Sequence, residues 1–468
     1  MRRSSFPLLL HLFLLSCCFP WLPLSASQSA VEYLPGFDGP LPFYFETGYV
    51  GVGESEDVQL FYYFVKSQGK PETDPLLLWL TGGPGCSALS GLFHEIGPIH
   101  FKLEEYNGKL PSLILNPDAW TQVASIIFVD LPVLTGFSYA RTEAAALSSD
   151  NLEIDQAVEF LRKWLKEHGE FKSNPVYIGG DSYAGIPVPG IALRISDENE
   201  QGIEPAINLE GYLVGNGRAN ATIEDNSKIK FAHGMALISD ELYESLRRSC
   251  GGEYYNVDPG NSECLKHVRE FEKCTSGLES AQILLPKCTY ASPKPPRRSM
   301  SLEELLELEA ESLPRLGCPT FAYLLSKYWA NDESVQSALH VRKGTIGTWE
   351  RCSSRLHYTT DVASSTEFHL QLSRKGYRSL IYSGDHDMLV PYVGTLEWIR
   401  SLNFRIVEEW RPWLLNNQVA GYTRTYSDPR YYNLMTFATV KGAGHTAPEY
   451  KPPECFAMFK RWITGKPL

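Results

Sequence analysis

The chain carries no basic stripe, no Cys-x-x-Cys pair, no Gly-Lys-Ser/Thr phosphate loop and no internal repeat. Each absence excludes a class of function. A formal charge of −12 without clustered Lys and Arg argues against nucleic acid, whose phosphates demand a positive footprint. Without Cys-x-x-Cys there is no zinc or dithiol redox motif. Without Gly-Lys-Ser/Thr, the glycines of Gly82-Gly83-Pro84-Gly85 are not a P-loop. Asp385-His386-Asp387 gathers metal-ligating residue types, but no second cluster completes a site, so neither metal nor cofactor is expected. Beyond Leu24 no run is long and apolar enough to span a bilayer. What remains is globular: 468 residues, 43% hydrophobic and 12% aromatic, enough for one α/β domain with an insertion.

The first 27 residues read as a signal peptide. Arg2 and Arg3 precede an apolar run from Phe6 to about Leu24, and Ser25-Ala26-Ser27 supplies small residues for cleavage. Pro7, Pro20 and Pro23 interrupt the run and argue against a membrane anchor, and the C-terminal Gly-Lys-Pro-Leu is no ER-retention signal. The mature chain is therefore expected in the lumen of the secretory pathway, without a membrane partner. There the remaining cysteines, Cys86, Cys250, Cys264, Cys274, Cys288, Cys318, Cys352 and Cys455, read first as disulfides. Asn220-Ala221-Thr222 is a glycosylation acceptor.

β-rich runs recur at 58–65, 76–80, 125–129, 176–179, 209–214, 379–382 and 435–440. Helical patterns separate several of them, as at 151–168, where Leu152, Ile154, Ala157, Val158, Leu161, Trp164 and Leu165 form one broad face. Such alternation predicts a mostly parallel sheet covered on both faces. From 218 to 331 the cysteines cluster and helical patterns dominate, which predicts a cap inserted into a core of residues 28–217 and 332–468. Within it the proline-rich, basic stretch 292–300 predicts an exposed linker and a candidate proteolytic site, and an uncut mobile loop is the competing reading. Ser301–Ser312 follows as a short acidic helix opened by a Ser301/Glu304 capping box.

Four segments carry chemistry. Tyr177-Ile178-Gly179-Gly180-Asp181-Ser182-Tyr183-Ala184-Gly185 is a β-run that breaks into small residues around one serine, as a nucleophile elbow does. Downstream, one β-run ends in Ser383-Gly384-Asp385-His386-Asp387 and another in Gly442-Ala443-Gly444-His445. Upstream, the apolar run 75–80 ends in Thr81-Gly82-Gly83-Pro84-Gly85. The order Ser, Asp, His is that of the α/β-hydrolase triad, and a glycine-rich loop after an early strand lends a backbone N–H to an oxyanion. Ser182 is thus the expected nucleophile, His445 the base and Asp387 its orienting carboxylate, with the N–H groups of Gly83 and Tyr183 as oxyanion donors. Asp385 competes with Asp387; its expected role is to cap the turn through its own backbone bonds. These residues predict a serine-dependent acyl-transfer enzyme.

The same motifs, with Trp79–Ser87 and His445-Thr446-Ala447-Pro448 included, resemble the serine carboxypeptidases of the α/β-hydrolase fold. The similarity is strongest to the plant branch of serine carboxypeptidase-like acyltransferases. Carboxypeptidases of this family place asparagine at the position of Thr81 and glutamate at that of Asp181; with a second glutamate, matched by Glu95, and the adjoining Gly82, these residues bind the substrate's terminal carboxylate. Thr81 lacks the amide N–H₂ and Asp181 is a methylene shorter. The resemblance therefore implies an acyl donor that is a 1-O-glucose ester of an aromatic acid and an alcohol as acceptor. A carboxypeptidase acting on peptide C-termini at acid pH is the alternative, and a lumenal relative that only binds ligands is a third. The resemblance also implies disulfides Cys86–Cys352, Cys250–Cys264 and Cys288–Cys318, linker cleavage into two disulfide-joined chains, and a secreted or vacuolar location. One departure is Leu134, where the family usually has glycine.

Overall fold

A computed structural model describes residues 29–288, 314–428 and 434–468. The expected signal peptide, the linker 292–300 and the helix Ser301–Ser312 lie outside the described residues. The fold is organised by one 12-stranded sheet. Six strands at its centre run parallel, in the spatial order Ser125–Val129, Leu76–Leu80, Val176–Asp181, Leu209–Gly215, Arg378–Gly384 and Met435–Val440. Antiparallel strands extend both edges: Val58–Val65 and Phe45–Val52 on one side, Gln418–Ser427 and Arg405–Leu415 on the other.

The central strands are apolar throughout because both faces are covered. Leu76, Leu78 and Leu80 enter one core beneath Asp150–Glu167 and Pro187–Glu200, while Leu77 and Trp79 enter the other beneath Pro452–Ile463. This is the two-residue alternation of a strand, with both faces buried instead of one. All seven β-runs read from the sequence are strands of this sheet. The edge strands escaped that reading. Gly48 and Gly51 interrupt Phe45–Val52, and the outermost strand Arg405–Leu415 is largely exposed, with Glu408, Glu409, Arg411 and Pro412 breaking its apolar pattern. A signal for the latter was present: Asn416 and Asn417, at φ 50° and 59°, form the two-residue turn favoured in hairpins.

Residues 218–288 contribute helices and no sheet strand: Ala221–Gly234, Asp240–Cys250 and Ser262–Thr275. Helix Phe321–Ala330, at the end of the expected insertion, packs into the main core through Phe321, Leu325, Trp329 and Ala330. The three cysteine pairs named above are joined, and Cys274 is exposed and Cys455 buried as free thiols. No helix among the described residues is long and apolar enough to cross a membrane.

Candidate active site

The carboxyl ends of four parallel strands converge, which is where open α/β sheets bind ligands. Val176–Asp181 ends at Ser182, which adopts φ 57°, the left-handed turn that lifts a hydroxyl above the sheet. The Arg218 N–H donates to the Ser182 carbonyl at 2.8 Å and holds this turn from the neighbouring strand end. Arg378–Gly384 delivers Asp387 and Met435–Val440 delivers His445. The Ser182 hydroxyl lies 2.6 Å from His445 Nε2, and His445 Nδ1 lies 2.8 Å from Asp387 Oδ2.

Asp387 is fully buried yet well supplied with donors. The Leu389 and Val390 N–H groups donate to its Oδ1 at 2.7 and 3.2 Å, and Asn216 Nδ2 donates to Oδ2 at 2.9 Å. These bonds hold the carboxylate aimed at the imidazole. Burial pushes the His445 imidazole down in pKa, but the Asp387 charge and hydrogen bond outweigh it, so the net shift is upward. An arrangement of this geometry can stabilise an imidazolium at His445.

Asn216 was not read from the sequence. The only hint was its place between two glycines at a strand end, and its φ of 44° shows why a residue tolerant of that conformation stands there. Asp385 does not cap its own turn as expected. Its Oδ1 accepts the Gly442 N–H at 2.7 Å and lies 2.6 Å from His386 Nδ1, so it ties its loop to the one carrying His445. No group of three or more potential metal ligands occurs among the described residues.

The Gly82–Gly83 loop touches the elbow directly. A Cβ on Gly82 would sit 2.6 Å from Ser182 Cβ and 2.7 Å from the Tyr183 nitrogen, so no side chain fits there. Gly83 adopts φ 127°, and a Cβ on it would sit 2.9 Å from the Cys86 nitrogen. The loop is anchored from behind by the Cys86–Cys352 bridge and by Asp130, whose Oδ1 accepts from the Ser87 hydroxyl at 2.7 Å and the Ala88 N–H at 2.9 Å. Leu134 lies in the adjoining loop at φ 70°, a conformation suited to glycine, but it does not line the cavity.

That cavity, about 450 Å³, opens over Ser182. Thr81, Glu95, Asp181, Tyr323 and Arg351 form one wall, and the Arg351 guanidinium stacks 4.0 Å above the Tyr323 ring. Asp181 Oδ1 turns back to accept the Gly82 N–H at 3.3 Å. Thr81 Oγ1 is buried without a hydrogen-bond partner, and the buried Glu95 and Asp181 carboxyls hydrogen-bond to each other, a contact that requires a proton on one of them. Burial pushes the Asp181 carboxyl up to about 6 against the opposing pull of His445. Burial, then the charges of Asp181 and Glu449, hold Glu95 well above the carboxylate range. Glu449 is a third acid behind this wall. It accepts the Tyr323 hydroxyl at 2.7 Å and the Thr446 hydroxyl at 2.8 Å, and burial raises its pKa as well.

The insertion closes the cavity from above through Glu279, Ser280 and Ala281. This stretch is stitched to both catalytic loops. The His445 N–H donates to the Ala281 carbonyl at 2.7 Å and the Met388 N–H to the Ser280 carbonyl at 2.9 Å. Asn220, near the start of the insertion, is the half-buried N-cap of Ala221–Gly234 and accepts the Ile223 N–H at 3.2 Å.

Known proteins are similar to this chain along nearly its whole length. Residues 35–465 match the model of the serine carboxypeptidase family, Peptidase_S10. Serine carboxypeptidase-like 7 of Arabidopsis thaliana is 53% identical over 442 residues, covering 94% of each chain. Serine carboxypeptidase-like 19 of the same plant is 50% identical over 476 residues, covering 100% of both. The crystal structure of Kex1Δp, a prohormone-processing carboxypeptidase from Saccharomyces cerevisiae, superposes with a TM-score of 0.71 at 20% identity over 93% of this chain and 95% of its own, a likeness of fold. A sheet that delivers Ser182, Asp387 and His445 to one cavity, with family similarity over nearly its full length, leaves one conclusion: the chain belongs to the serine carboxypeptidase family, has the α/β-hydrolase fold and is an enzyme of serine carboxypeptidase-like type.

Proposed function

We propose that this enzyme transfers an aromatic acyl group from a 1-O-glucose ester to an alcohol. His445 Nε2 takes the Ser182 proton as Oγ attacks the ester carbonyl, and the Gly83 and Tyr183 N–H groups receive the oxyanion. Collapse returns that proton to the departing anomeric oxygen, releasing glucose and leaving an acyl-enzyme. The acceptor hydroxyl then gives its proton to His445 and attacks the same carbonyl; collapse frees the ester and reprotonates Ser182. Transfer outpaces hydrolysis only where water is kept from the acyl-enzyme. The 279–281 stretch over the cavity supports such exclusion.

The observation that carries the reading is the geometry of Asp181. Its short side chain bends onto the Gly82 N–H, and Thr81 beside it has no amide to offer. A peptide's terminal carboxylate would meet a weakened clamp. One observation favours the peptidase reading: Glu95 and Asp181 hold their protons to unusually high pH, and neutral acids donate hydrogen bonds to a carboxylate. Purified enzyme is offered 1-O-sinapoyl- or galloylglucose with a panel of alcohols and, separately, a blocked dipeptide at acid pH. Ester transfer without peptide cleavage is the expected result; peptide release without transfer overturns it. Failure of both, with no labelling of Ser182 by a fluorophosphonate, favours a binding protein. Residues 1–27 route the chain to the secretory pathway in this reading, and Asn220 and the 292–300 linker are its sites of glycosylation and cleavage.

A further inference from the structure

Behind the elbow, away from the substrate cavity, lies a second buried acid pair that the reaction above does not use. Tyr183 follows the nucleophile, and its side chain points into this site, where its hydroxyl donates to Asp150 Oδ1 at 2.6 Å. Asp150 opens helix Asp150–Glu167 and is fully buried. Its Oδ2 accepts the N–H groups of Asp361 and Val362 at 2.8 and 2.9 Å. The parallel ribbon of Leu147–Ser149 with His357–Thr359 brings in Tyr358, whose ring stands edge-on to that of Tyr183 at 5.9 Å.

Tyr358 poses a problem of proton counting. Its hydroxyl oxygen lies 2.8 Å from Asp150 Oδ1 and 2.7 Å from Glu153 Oε2. A phenol has one proton, so two ionised carboxylates at hydrogen-bond distance would leave one contact repulsive. Asp150 already accepts three other hydrogen bonds and continues as an acceptor toward Tyr358. The missing proton belongs on Glu153, which is buried one helical turn along. Bonds then run in one direction, from the Glu153 acid to Tyr358 and from the Tyr358 hydroxyl to Asp150, where the Tyr183 hydroxyl also ends.

We propose that Glu153, held as the neutral acid, and Tyr358 and Asp150 form a relay that positions Tyr183, and with it the N–H that follows the nucleophile. They are positioning residues for the oxyanion site, an inference that rests on the assignment of Ser182 as nucleophile. The titratable groups facing Glu153 are Asp150 on its own helix, Tyr358 on the ribbon and Tyr183 on the elbow. Burial, with the Asp150 charge adding to it, pushes Glu153 up to about 8. Loss of its proton places two anions against the Tyr358 oxygen, so the elbow is expected to loosen above that pH.

The test measures the rate at which a fluorophosphonate labels the full-length enzyme between pH 5 and 9.5, because labelling needs the nucleophile and oxyanion site but not the natural substrates. Wild-type enzyme is expected to show a fall near pH 8. Glu153→Gln, which cannot ionise, should abolish that fall, and Tyr358→Phe should lower the rate roughly tenfold or more at every pH. Wild-type enzyme that labels with no fall near pH 8, or a Glu153→Gln enzyme that keeps the wild-type fall, overturns the relay. So does a folded Tyr358→Phe enzyme labelling at the wild-type rate. If Tyr358→Phe fails to fold, Glu153→Gln and Tyr183→Phe decide the question by the same profile. Absence of labelling in wild-type enzyme would instead sink the assignment of Ser182.

Discussion

The floor of the cavity and its acid wall are built on opposite terms. On the floor, each oxygen of Asp387 and both ring nitrogens of His445 have hydrogen-bonding partners, and two loops and the insertion hold them in place. On the wall, Thr81 Oγ1 is buried and unpaired, and the Glu95 and Asp181 carboxyls lean on each other and on the Gly82 N–H. Under-satisfied polar groups cost stability, so a ligand that hydrogen-bonds to this wall would recover part of that cost. The floor is complete before substrate arrives; the wall is completed by it. In the proposed reading, reactivity resides in the strand ends of the core, and selectivity in a few side chains beside them.

The comparison breaks most sharply at the nucleophile. Ser182→Ala is expected to lower kcat on the order of 10⁶-fold while leaving the thermal midpoint near that of wild type. Residual turnover close to normal would move the nucleophile elsewhere. Asp387→Asn keeps the shape but favours the wrong His445 tautomer, and a loss on the order of 10⁴ in kcat is expected. Asn216→Ala should cost far less, because two backbone donors remain on Asp387. An equal loss in the two variants would show that Asn216 does more than orient the carboxylate.

On the wall, a double Thr81→Asn, Asp181→Glu variant should raise peptide cleavage relative to ester transfer by about tenfold, the worth of one hydrogen bond to a charged group. An unchanged ratio would show that the wall does not set the choice of substrate. The smallest expected effect is on stability. Asp181, Glu224 and Glu153 have pKa values raised by burial to about 6, 7 and 8. Each binds its proton more tightly in the fold than in the unfolded chain, so each loses stabilisation as pH rises from its unfolded value through its folded one. Below about 6.5 the buried His100 and His369, depressed to about 4 and 3, oppose this trend, because unfolding lets them take up protons. Above about 6.5 these histidines are neutral in both states. The thermal midpoint is therefore expected to fall by a few degrees between pH 6.5 and 8; calorimetry showing a rise there would reverse the sign.

The sequence by itself determined the parallel sheet and the identity of the groups at its strand ends. Both are local: an apolar run buried on both faces, then a break into Gly, Ser, Asp or His, is written in consecutive residues. Through a resemblance carried by contiguous motifs it also pointed to Thr81 and Asp181, on which the proposed selectivity rests. Only the tertiary structure decided that Asp385 serves the His445 loop, that Asn216 braces Asp387, that Glu449 stands behind Glu95, and that Asp150, Glu153, Tyr183 and Tyr358 share a site. Their partners lie tens to hundreds of residues away in the chain. Their roles follow from counting protons and donors in a buried space, a constraint that exists only once the chain has closed around it.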